Sequence, residues 1–109
     1  MERYVFQVQG SAIEPYEVTI QRDRDNLIAY CTCPAGEVGQ YCKHRFAILS
    51  GNVDKVVRGA ENVSRAAALL PGTDVEDAWN LVLEAEARLE AAKRDLAGAK
   101  KKLAQSLSS

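Results

Sequence analysis

Apolar and polar residues alternate along the start of the chain. Tyr4, Phe6 and Val8 alternate with Val5, Gln7 and Gln9. After a break at Gly10-Ser11, Tyr16, Val18 and Ile20 alternate with Glu17, Thr19 and Gln21. A period of two puts successive side chains on opposite faces, so both runs predict half-buried strands. The polar stretch Arg22-Asp23-Arg24-Asp25-Asn26 reads as a turn, and residues 27–31 as a third strand. The expected product is a short antiparallel meander, with Phe46, Ile48 and Leu49 of a following helix packed on it.

The period changes after Gly51. Val53, Val56, Val57, Ala60, Val63, Ala67 and Leu70 fall at helical spacing, and Asn52 is placed to cap them. This predicts a helix over 53–70, weakened at Gly59 and stopped by Pro71-Gly72. Thr73 and Glu76 then form a capping-box pair, Thr at the N-cap and Glu three residues on. No breaker except Gly98 follows before Leu103, so a helix of roughly 30 residues, about 45 Å long, is expected, with Gln105–Ser109 fraying. It carries a heptad. Val75, Val82, Leu89, Leu96 and Leu103 recur every seventh residue, and Ala78, Ala85, Ala92 and Ala99 recur at an offset of three. The Pro71-Gly72 turn would fold residues 75–92 against 53–70, leaving Leu96 and Leu103 uncovered. The expected architecture is α+β: a meander plus helix over 1–51, then a C-terminal helical hairpin over 52–109.

Composition narrows the function classes. With 109 residues, 47% hydrophobic and 27% charged, the chain suits one small soluble domain and some extra helix. Its net charge of −1 excludes coating nucleic acid by charge alone. No apolar run approaches the ~20 residues of a membrane span, and Met1-Glu2-Arg3 opens no secretory signal. A cytoplasmic location is therefore expected, nucleoid or nucleus being compatible. Charge is polarised along the long helix: residues 74–90 are net −5 and residues 93–102 net +4.

The three cysteines and one histidine all lie between positions 31 and 44. They form Cys31-Thr32-Cys33 and, eight residues on, Cys42-Lys43-His44. An odd number of cysteines argues against a disulfide framework. Four unliganded residues, a disulfide with a spare thiol, an iron–sulfur cluster and a Cys42–His44 nucleophile–base pair are the competing readings. Three sulfurs and one imidazole nitrogen best match a tetrahedral structural zinc, one per chain. Residues i and i+2 of a strand share a face, so Cys31 and Cys33 can meet one ion if Pro34 and Gly36 bend the chain behind them. On a helix, i and i+2 lie about 200° apart. Cys42 must therefore sit at or before a helix start, with His44 in the first turn. A helix N-terminus also favours a thiolate. No phosphate-binding loop or second catalytic constellation is present, and a four-ligand zinc has no open position for water.

Cys31-Thr32-Cys33-Pro34 and Tyr41-Cys42-Lys43-His44, followed by Ala47 and Leu49, resemble the SWIM-type zinc finger, C-x-C-x(n)-C-x-H. The resemblance covers roughly residues 3–50. It implies a ββα-like unit that binds zinc through Cys31, Cys33, Cys42 and His44 and performs no catalysis. Such modules occur beside helicase-like ATPases, in transposases and in recombination-associated proteins.

The expectation is therefore a non-catalytic adaptor that binds a protein partner, with nucleic acid as the alternative and no small-molecule substrate. Arg22, Arg24, Lys43 and Arg45 are the candidate nucleic-acid contacts, although residues 1–51 hold five bases and six acids. The run Lys100–Lys102 reads as a solvated helix end. Val82, Leu89, Leu96 and Leu103 are the candidate self-association residues. An antiparallel homodimer is expected, because it sets each charged half of the helix against its opposite.

Overall fold

The computed structural model describes residues 1–108. Three strands follow the sequence pattern: β1 (Glu2–Val8), β2 (Tyr16–Asp23) and β3 (Asn26–Cys31). They form an antiparallel meander in which Phe6 faces Val18 and Ile20 faces Ala29. Two helices follow, the single turn α1 (Pro34–Glu37) and α2 (Lys43–Leu49). Phe6, Val8, Val18 and Ile20 of the sheet are buried, as are Ile48 and Leu49 of α2. Burying a side chain of this size contributes about 1.5–3 kcal/mol.

Residues 53–70 depart from the expected helix. Val56–Arg58 form a strand, β4, that pairs antiparallel with β1 and completes a sheet of order β3-β2-β1-β4. A 3₁₀ turn at Ala60–Asn62 leads into the short helix α3 (Val63–Ala67), whose Val63 and Ala66 are buried. The first arm of the helical hairpin is thus absent, for local and tertiary reasons. Val56 and Val57 are β-branched and suit a strand. Gly59 adopts φ +94°, and a β-carbon there would stand 2.9 Å from the Val5 carbonyl oxygen. What reads as a weak point in a helix is a close approach to β1. Asn52 does not cap a helix; its side-chain oxygen accepts the Asp54 N–H (2.9 Å) in a turn.

The long helix α4 runs Asp74–Leu107. Thr73 caps it, its hydroxyl accepting the Glu76 N–H (3.3 Å) and donating to the Leu70 carbonyl (2.6 Å). The Glu76 carboxylate accepts the Gly72 N–H (3.2 Å), one residue before the partner expected for the box. Residues 105–107 continue the helix where fraying was expected; Ser109 lies outside the described residues. The chain divides into two compact units, Met1–Glu76 and Asp77 onward. The first unit includes β4, which pairs with β1, and α3, whose Val63 and Ala66 are buried. No helix among the described residues is long and apolar enough to cross a membrane.

Candidate metal centre

β3 ends at Cys31, and Cys33 follows as the N-cap of α1. The Cys33 sulfur accepts the Gly36 N–H (3.3 Å), and the Cys33 N–H donates to the Cys31 sulfur (3.4 Å). Pro34 opens α1, where its missing N–H costs nothing. Gly36 is required at its place, since a β-carbon there would stand 2.5 Å from the Cys31 carbonyl oxygen. Cys42 is the N-cap of α2 with extended backbone (φ −132°, ψ 115°), and His44 lies in the first turn. Because Cys42 lies outside the helix, it and His44 escape the separation of about 200° between helical i and i+2 residues, as their spacing requires.

The four donor atoms lie within 4.8 Å of one another. Cys33 Sγ is 3.4 Å from Cys42 Sγ, while His44 Nδ1 is 3.8 Å from Cys31 Sγ and 3.6 Å from Cys42 Sγ. A tetrahedral ion with bonds near 2.3 Å to sulfur and 2.0–2.1 Å to nitrogen needs donor–donor edges of roughly 3.5–3.8 Å. Three of the six edges are close to that size, and the whole group lies within 4.8 Å. All three cysteines are free of disulfides and buried. The Cys3His group is positioned to bind one zinc ion through Cys31, Cys33, Cys42 and His44. Bound there, zinc ties the end of β3 to the start of α2.

Local electrostatics separate the thiols. Burial pushes the Cys31 thiol up to about 12. Burial also acts on Cys42, but there the Arg45 N–H, the Cys33 and Cys31 thiols and the His44 N–H together bring the thiol below its ordinary value. Cys42 is thus the readier thiolate. Burial first, and the Lys43 charge second, lower the pKa of His44 and favour the neutral imidazole a metal needs. Among the described residues, buried His44 Nε2 has no hydrogen-bond partner. The ring packs against Tyr16 (centroids 5.3 Å apart), and a β-carbon on Gly10 would stand 3.1 Å from Nε2. Nδ1 is therefore the nitrogen turned to the sulfurs. Sequence reasoning gave Tyr16 and Gly10 no part in this site. Their contacts with His44 span about 30 residues, and no local pattern signals them.

The candidate nucleic-acid residues are dispersed. Arg22 donates to the carbonyls of Arg24, Leu69 (2.9 Å) and Pro71 (2.8 Å). Arg45 donates to the carbonyls of Ala29 (3.1 Å) and Gln40 (2.5 Å). Arg24 and Lys43 are exposed. Arg22 and Arg24 stand at the β2–β3 hairpin, roughly 13–17 Å along the strand from Cys31. Val82, Leu89, Leu96 and Leu103 are exposed on α4.

Residues 16–50 match the family model of the SWIM zinc finger. The match spans β2, β3, α1, α2 and all four metal-site residues. No curated protein and no solved structure matches the chain.

Proposed function

We propose that the chain is a non-catalytic, zinc-held interaction module that binds a protein partner beside its metal centre. The observation that carries this reading is a cleft of about 530 Å³ with an apolar lining of Leu27, Ile28, Tyr41, Phe46, Leu49 and Val75, to which Gln40 and Arg45 add polar groups. Tyr41 stacks on Phe46 (centroids 4.8 Å apart, planes 16° apart) yet remains 66% exposed. Exposed aromatic area over apolar neighbours is the composition of a binding anchor. A zinc held at the centre would fix the Tyr41 wall, since Cys42 follows Tyr41, while Leu27 and Ile28 lie towards the other end of the strand that Cys31 closes. The outward Leu27 N–H and Ala29 C=O are already bonded to Asp74 (3.2 Å) and Arg45. A partner would therefore engage side chains rather than extend the sheet at those positions. Four protein donors leave no open zinc position, which supports a structural rather than a catalytic metal.

The second reading, a nucleic-acid-binding finger acting with a helicase-like ATPase, a transposase or recombination machinery, rests on a smaller cleft. There Lys43 and Lys55 lie beside Gln9, Ser11 and Ala47. It is the weaker reading because Arg22 and Arg45 spend their guanidinium groups on backbone carbonyls.

One experiment separates the two. A photo-crosslinking residue is placed at Tyr41 or, as control, at Val57, and the crosslinked species are identified; DNA binding is titrated in parallel at low salt. The protein reading expects one adduct from the Tyr41 site, absent from the control and lost with Phe46→Ser. Salt-sensitive DNA binding that falls with Lys43→Ala and Lys55→Ala, without such an adduct, would replace it.

A further inference from the structure

The α4 helix buries none of its residues. Val82, Leu89, Leu96 and Leu103 are 37%, 54%, 56% and 61% exposed. They form one seam with Ala78, Ala85, Ala92 and Ala99 between them. A regular large–small seam on an exposed helix is built to be covered, and the charges flanking it identify the cover.

We propose that a second copy of this chain covers the seam, antiparallel, in the register that sets Leu89 against Ala92 of the second copy. That register also sets Val82 against Ala99, Leu96 against Ala85 and Leu103 against Ala78 of the second copy. Each of these four layers then holds one large residue and one alanine, so the helices keep a constant spacing through them. In a parallel pair, leucine layers would alternate with alanine layers and the spacing could not be uniform.

The flanking positions agree. In an antiparallel pair each flank meets its own kind, so Glu86 faces Lys93 of the second copy and Arg88 faces Asp95, each twice by symmetry. Sliding by one heptad in one direction sets Glu86 against Glu86 and Arg88 against Arg88. Sliding in the other sets Lys93 against Lys93 and Asp95 against Asp95. A parallel pair sets Arg88 against Lys93, keeps only Asp95–Lys100 as an attraction, and lays the net −5 half against its own copy. One arrangement alone satisfies both the packing and the charges. Within the chain, Lys93 bonds Glu90 at 3.4 Å with both side chains well exposed, so it is free to turn towards Glu86 of the second copy. Such rim pairs select register and orientation more than they add affinity.

The test uses the full zinc-loaded chain. Sedimentation equilibrium should give a dimer in the high micromolar range, and Leu89→Asp with Leu96→Asp a monomer that retains its zinc. Glu86→Lys should weaken the dimer roughly tenfold at low salt, and adding Lys93→Glu should restore it. Orientation is read from spin-label distances, with the label clicked onto an unnatural residue at Ala91 or, separately, at Gln105. The antiparallel register expects a short distance at Ala91 and an axial separation of about 43 Å at Gln105. Short distances at both sites would overturn it in favour of a parallel pair. A monomer at high micromolar concentration would overturn it in favour of a different protein on this face. A dimer indifferent to Glu86→Lys would overturn the register.

Discussion

Gly36 packs so tightly against Cys31 that a β-carbon on it would stand 2.5 Å from the Cys31 carbonyl oxygen and 2.8 Å from the Cys31 β-carbon. Both obstacles belong to the end of β3 or its first side-chain atom, so neither can swing aside. Gly36→Ala must displace either the strand end or the turn that carries Cys33. Two of the four donors would then separate. The variant is expected to lower zinc affinity at least tenfold while leaving the helicity of α4 unchanged, as read by chelator competition and far-ultraviolet circular dichroism. Unaltered zinc affinity would show that the turn moves freely.

Arg22 acts as a clamp across the fold. Its guanidinium holds carbonyls of Leu69 and Pro71, 47 and 49 residues away, and so fixes the segment just before α4. Hydrogen bonds from a charged donor contribute about 1.5–3 kcal/mol. Arg22→Ala should cost roughly that much in urea unfolding of the zinc-loaded protein, with Arg22→Lys recovering little because an ammonium lacks the planar fork. A loss confined to DNA affinity, with stability unchanged, would return Arg22 to the nucleic-acid surface.

These two residues mark what the sequence could convey. The meander was legible because Phe6, Val18 and Ile20 alternate with polar residues, and the start of α4 because Thr73 and Glu76 are spaced as a cap. The metal centre was legible down to the helix start at Cys42, since the geometry of i and i+2 admits few arrangements. The strand β4 was not legible: three residues are too few to display a period of two, and the valines around them also fit a helical one. Gly59 could have raised the alternative, but its reason is the carbonyl of Val5, a contact made only in the folded chain. The Arg22 clamp was not legible either, because its acceptors are backbone groups, which no side-chain pattern reports.

Arg24 is the one non-glycine residue with positive φ among those described, at +60° in the two-residue turn between β2 and β3. An L side chain in that region costs about 1–2 kcal/mol relative to glycine. The side chain is exposed, and the one contact the position supplies, its carbonyl to Arg22, belongs to the backbone. Arg24→Gly should therefore raise stability by about 0.5–1 kcal/mol once the greater freedom of glycine in the unfolded chain is subtracted. Thermal unfolding checks it, and a lower midpoint would mean that the arginine side chain makes a stabilising contact in solution.

Zinc removal should change the pH dependence of stability. Zinc binds thiolates, and burial holds the Cys31 thiol at about 12, so at neutral pH the ion must displace its proton. Calorimetric titration of zinc into the empty chain, in two buffers of different ionisation heat, should report roughly two to three protons released per zinc near neutrality. Affinity, and the stability that depends on it, should fall as the pH falls. His44, already held neutral by burial and by Lys43, adds to that loss only at the acid end. In the empty chain Cys31 alone carries the reverse sign, while the lowered Cys42 and His44 keep the first. A thiol raised above its ordinary 9.0 favours the folded state while protonated. That contribution is complete below about pH 9 and is lost as the pH rises towards 12. Cys33→Ala or His44→Ala should abolish tight zinc binding and loosen residues 1–76 while α4 stays helical. A chain that stays well folded without zinc and is indifferent to a strong chelator would sink the assignment of the metal as the element that joins β3 to α2.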